Sequence, residues 1–128
     1  MTVRVFLYLP CDDRSPGVAR RFVRDACATS GVPAENSETA ALLVSELVTN
    51  AVTHAGTEIM LQIEPSLTGM RVAVSDRALD RSPVQRPTQV RGSGLALVDC
   101  LSRQWGMDRD CATKTFWFEL ETAQRCAS

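Results

Sequence analysis

Val3, Val5, Leu7 and Leu9 alternate with Arg4, Phe6 and Tyr8 at the start of the chain. That two-residue period predicts a strand with one buried face, ended by Pro10. From Ser15-Pro16 the period lengthens, and Ala19, Phe22, Val23, Ala26 and Cys27 recur at helical spacing. Ser15 reads as the cap of this first helix, Pro16 as its first turn and Gly31 as its stop. Its solvent side carries Arg20, Arg21 and Arg24. A second helix, capped by Asn36 or Ser37, is expected to run to about His54 and close at Gly56, with Ala40, Val44, Leu47, Val48, Ala51 and Val52 on its apolar side. Ile59, Leu61 and Ile63 mark a second strand and Val72 and Val74 a third. The turn Pro65-Ser66-Leu67-Thr68-Gly69 between them predicts an antiparallel hairpin. Residues 77 to 91 show no period, contain Pro83 and Pro87, and read as a mobile loop. Gly92-Ser93-Gly94 opens a third helix with Leu95, Val98 and Leu101 inward. Residues 105 to 107 and 114 to 120 are expected to form the last two strands.

The order is strand, two helices, two strands, loop, helix, two strands. It predicts an α+β protein: a two-layer sandwich with a mainly antiparallel sheet and the helices on one face. The 128 residues fit one domain, with no internal repeat or second domain expected. Hydrophobic residues make up 45% and charged residues 23%, which suits a globular protein with a real core. The net charge of −1 gives no electrostatic case for nucleic acid. No apolar run approaches the roughly 20 residues of a membrane span, and the N-terminus is too short and too alternating for a signal sequence. The expected compartment is the cytoplasm. Five cysteines (Cys11, Cys27, Cys100, Cys111 and Cys126) match no zinc spacing and are expected to be reduced and mostly packed.

The chemistry concentrates in ALLVSELVTNAVTHAG. Glu46, Asn50 and His54 stand four apart, and each step of four turns only about 40° around a helix axis. A carboxylate, an amide and an imidazole in one row suit a metal, an ordered water or a pocket wall. They equally suit the solvated side of a surface helix, and His54 suits the dipole of a helix C-terminus. Asp76 ends a strand, where it either faces a pocket or simply terminates the strand. Gly92 and Gly94 precede a helix whose free N–H groups favour a phosphate, although a lone Gly-x-Gly is weak by itself. No GxxxxGK[ST] loop occurs.

In this order the segments resemble a known family. ELVTNAVTHAG is similar to the N-box of the GHKL (histidine-kinase-like) ATPases, VAVSD to the strand that leads into their first glycine box, GSGLALV to their second glycine box, and TKTFWFEL to their closing strand. Within that superfamily the chain resembles the small stand-alone anti-sigma-factor serine kinases and their actinobacterial relatives over about residues 15 to 120. The resemblance implies the Bergerat-type ATP-binding fold, with ATP and Mg²⁺ as cofactors. It implies that Asn50 ligates Mg²⁺, that Glu46 is the general base, and that Asp76 binds the adenine amino group. Thr115 would support adenine, Gly92, Gly94 and Leu95 would present backbone N–H groups to the phosphates, and residues 77 to 91 would be the lid. The implied partners are an anti-sigma-factor antagonist and a sigma factor, the latter on the surface of the first helix. Similar proteins are often dimers.

The chain departs from the family in its first glycine box, where Asp-x-Gly-x-Gly is replaced by Asp76-Arg77-Ala78-Leu79-Asp80. Two functions therefore stand side by side: transfer of the γ-phosphoryl group to a serine or threonine of the partner, or a binding module that sequesters a regulatory protein with little or no nucleotide.

Overall fold

The structure, a computed structural model, describes residues 4–54, 57–65, 69–77, 95–110 and 112–121. The elements run β1 (Val5–Leu9), α1 (Ser15–Ser30), α2 (Ala34–His54), β2 (Ile59–Pro65), β3 (Gly69–Asp76), α3 (Leu95–Leu101), β4 (Gln104–Arg109) and β5 (Lys114–Glu121). The five strands form one sheet in the order β1-β2-β3-β5-β4, every neighbour antiparallel. The expected hairpin is present, with Met60 opposite Ser75 and Ile63 opposite Val72. The fold is thus the α+β two-layer sandwich that the element order predicts.

Alternation decides what each face of the sheet does. Leu9, Ile59, Leu61, Ile63, Met70, Val72, Val74, Phe118 and Leu120 point into the core, where Ala19, Val23 and Cys27 of α1, Leu43, Val44, Leu47 and Val48 of α2, and Val98 of α3 meet them. Burying one large apolar side chain contributes about 1.5–3 kcal/mol, so this row dominates the driving force. Phe6 and Tyr8 take the opposite face and are half exposed or more, at 49% and 62%. On that open face Arg4 pairs with Glu64 at 3.4 Å and Arg71 with Glu119 at 3.0 Å.

The caps differ from the sequence expectation. Ser15 does not cap α1. The cap position is Arg14, without a side-chain cap, while the buried Ser15 hydroxyl donates to the carbonyl of Pro10 at 2.7 Å and so ties the entry loop to the end of β1. Nor does α2 start at Asn36 or Ser37. It starts at Ala34, directly after Pro33, whose fixed φ suits a helix entrance. The Asn36 amide is then free to donate to the carbonyl of Glu121 at 3.3 Å. Gly31 closes α1 as expected, at φ 77°, a left-handed conformation that costs glycine nothing. Leu101 was expected inward but is 45% exposed. It is the last residue of a seven-residue helix, and the chain leaves helical spacing there, with Ser102 bonded back to the carbonyl of Val98. The thiols were expected to be mostly packed, yet Cys11 and Cys100 are exposed and only Cys27 of the described cysteines is buried. Among the described residues no helix is long and apolar enough to cross a membrane.

Candidate functional site

Helix α2 is the spine of the site. It packs against α1 and α3 within the helical layer and against β2, β3 and β5 beneath it. Leu43, Val44, Leu47, Val48 and Ala51 fill the contact with the sheet. The fully solvated stripe is a different one, Glu35, Glu38, Leu42, Thr49 and Thr53. Glu46 and Asn50 lie on the margin between the two and are half-buried. A carboxylate and an amide held there can face a ligand without paying for full desolvation. His54 is the last residue of α2, and its side chain lies outside the described residues.

Asp76 is the last residue of β3 and is buried, 6% exposed. It continues the inward row of Met70, Val72 and Val74, so strand alternation turns it towards the helical layer. In register it stands opposite Lys114. The end of α2 and the end of β3 lie at the same end of the molecule, because β2 starts five residues after His54 and its first rungs pair with the last rungs of β3. Glu46, Asn50 and Asp76 thus belong to two elements that touch, with α3 packed beside α2.

Thr115 is placed differently. Its Oγ1 lies 2.8 Å from Oγ of Ser75 in a cross-strand pair, which puts it on the open face, one residue out of step with Asp76. On the other side of Asp76, the N–H of Arg77 donates to the Thr57 hydroxyl at 3.1 Å. Neither Ser75 nor Thr57 is signalled by hydrophobic period or motif. Only the register, with Met60 opposite Ser75, places Thr57 beside the residue that follows Asp76. A shallow cleft of about 220 Å³ opens at this same end. Tyr8, Met60 and Ser75 line it from the open face, and it reaches round to Glu58, Asp76 and Thr113, so it is not the space between α2 and α3.

Gly92, Gly94 and the expected lid beyond Arg77, with Ala78 and Asp80, lie outside the described residues, as does the side chain of Leu95, the first residue of α3. Among the described residues no three His, Cys, Asp or Glu side chains come together as a metal cluster. The donor set instead suits Mg²⁺, which keeps its waters and takes one or two protein oxygens together with substrate phosphates. The Asn50 amide oxygen is of that kind.

A buried carboxylate at the end of an inner strand, facing a helix with a half-buried Glu/Asn row, defines a histidine-kinase-like nucleotide-binding fold. The family model of the histidine kinase-like ATPase domain matches residues 9–116, and the chain belongs to that family. The RsbU and RsbW domains of Rv1364c from Mycobacterium tuberculosis have a similar structure, with TM-score 0.69 and 18% identity over 92% of this chain. The match covers 32% of that longer chain, so this protein spans about a third of it. The SiaB–SiaC complex from Pseudomonas aeruginosa is also similar, with TM-score 0.66 and 9% identity, covering 91% of this chain and 88% of that one. At these identities the likeness is one of fold. No curated protein matches the sequence at a significant level.

Proposed function

We propose that this protein binds Mg-ATP between α2 and α3 and transfers the γ-phosphoryl group to a serine or threonine of a small regulatory protein, an anti-sigma-factor antagonist. The observation that carries the reading is the placement of the Glu46–Asn50 row and the buried Asp76 on two touching elements, in a chain of the histidine-kinase-like ATPase family. Asp76 accepts a hydrogen bond from the adenine amino group. Asn50 holds Mg²⁺, which when bound neutralises phosphate charge. Glu46 takes the proton of the attacking hydroxyl as its oxygen bonds to the γ-phosphorus and ADP departs. Gly92, Gly94 and the backbone of Leu95 are assigned to the phosphates by their motif. Thr115 is assigned near the base by its motif alone, since its hydroxyl is bonded to Ser75. The names of the two solved relatives support a regulatory setting: an RsbW domain solved with RsbU, and SiaB solved with SiaC. A sigma factor on the α1 surface, a homodimer and a cytoplasmic setting complete the proposal.

One specific observation favours a second reading, a binding module with weak or absent nucleotide. Ala78 and Asp80 stand where the family carries glycines, putting a methyl and a negative charge beside the base and phosphates. Calorimetric titration with Mg-ATP separates the two. Micromolar binding, lost on Asn50→Ala, with phosphoryl transfer abolished by Glu46→Gln while ATP still binds, supports the kinase. Absence of binding at millimolar Mg-ATP removes it and leaves the module.

A further inference from the structure

We infer that Thr57 is a positioning residue for the adenine-reading carboxylate: with Thr115 it clamps the backbone on both sides of Asp76. The inference rests on the nucleotide-binding reading of Asp76. Asp76 is the last strand residue before the chain leaves the sheet, the place where a backbone is least restrained. Here both neighbours are held by hydroxyl groups. Before Asp76, the Ser75 side chain is bonded across the sheet to Thr115 at 2.8 Å. After it, the Arg77 N–H is bonded to the Thr57 hydroxyl at 3.1 Å. Thr57 is half-buried in the connection between α2 and β2, where its hydroxyl also lies 3.4 Å from the Glu58 carbonyl.

The geometry explains why a side chain makes this bond. The antiparallel pairing of β2 and β3 reaches Met60 opposite Ser75 at this end. Past that rung, the Thr57 hydroxyl serves as the acceptor for Arg77. The bond fixes the peptide that follows Asp76, and with it the direction in which the carboxylate leaves the strand. It also ties that peptide to the segment directly following α2, the helix that carries Glu46 and Asn50. One threonine thereby sets the base-reading group relative to the metal-and-base helix. Placement of this kind governs how well a bound substrate is aligned.

The test is a double-mutant cycle on the full chain, read by calorimetry with Mg-ATP and Mg-GTP and by exchange of the Arg77 amide. Thr57→Val keeps the shape and removes the acceptor. It should weaken Mg-ATP binding about five- to tenfold, the range set by one hydrogen bond. It should also narrow the preference for Mg-ATP over Mg-GTP and speed exchange of the Arg77 amide about tenfold. Thr57→Ser should restore all three. In an Asp76→Asn background Thr57→Val should change affinity less than about twofold, because the group it orients has already lost its charge. Equal losses in both backgrounds, or an Arg77 amide that exchanges no faster, would overturn the positioning role and leave nucleotide binding standing. A wild-type chain that takes up no nucleotide refutes the functional reading and the positioning role together.

Discussion

The indole of Trp117 lies across Gly106, its register partner on the neighbouring strand: a β-carbon at 106 would come within 2.6 Å of Cζ2 and 2.9 Å of Nε1. The guanidinium of Arg71 sits 4.1 Å from the ring centroid. Gly106→Ala must therefore displace an indole that a cation–π contact and a neighbouring strand hold in place. Overpacking of this kind costs about 1–3 kcal/mol. Urea unfolding should show that loss, and Gly106→Ala combined with Trp117→Leu should recover part of it. An alanine variant as stable as the parent would mean that the ring moves aside freely.

Asp110 organises the turn from β4 to β5. Its Oδ1 accepts the N–H groups of Ala112 at 2.8 Å and Thr113 at 2.7 Å. These bonds favour the ionised form and hold the carboxyl below its ordinary value of 3.8. A carboxyl lowered on folding contributes stability above its unfolded value and loses it as the pH falls through the folded one. The melting temperature of the parent should therefore drop on acidification below about pH 4, more steeply than that of Asp110→Ala. Parallel acid limbs for the two proteins would show that the turn gains nothing from the charge.

Cys27 sits in the core with its Sγ 3.8 Å from Sδ of Met70. Burial pushes its thiol above the ordinary value of 9.0, while a hydrogen bond with Ser37 works the other way. At pH 8 an alkylating reagent should modify the exposed Cys11 and Cys100 first and reach Cys27 only as the chain unfolds, as read by peptide mapping. A thiol raised on folding favours the native state below its unfolded value and ceases to do so as the pH climbs towards the folded one. Alkaline destabilisation beyond about pH 9 should be weaker in Cys27→Ala.

The core was legible in the sequence wherever one face of an element is buried. The row from Ala40 to Ala51 on α2, the alternation of Ile59, Leu61 and Ile63, and the inward turn of Val72 and Val74 all follow from period alone. What period does not carry is an end. The start of α2 was misplaced because Asn36 and Ser37 are good caps by type, whereas Pro33 sets the entrance and Asn36 serves the carbonyl of Glu121. Ser15 was misread in the same way, its hydroxyl being spent on Pro10. Of the site, the Glu46–Asn50 row and Asp76 could be singled out because residue type and spacing suffice. The face that Thr115 takes and the partner of Thr57 depend on cross-strand register, which no local pattern specifies.

Strand β3 lies in the middle of the sheet, paired with β2 on one side and β5 on the other. Asp76 is therefore mounted on a post that cannot recoil when something presses against it, and whatever adjustment accompanies recognition has to be absorbed by α3 or by the outlying β4. Sequence drift beyond residue 77 is then free to weaken, retune or restore nucleotide use without disturbing the scaffold. A single architecture of this sort can furnish both working enzymes and silent look-alikes that differ by little more than a hinge's worth of residues.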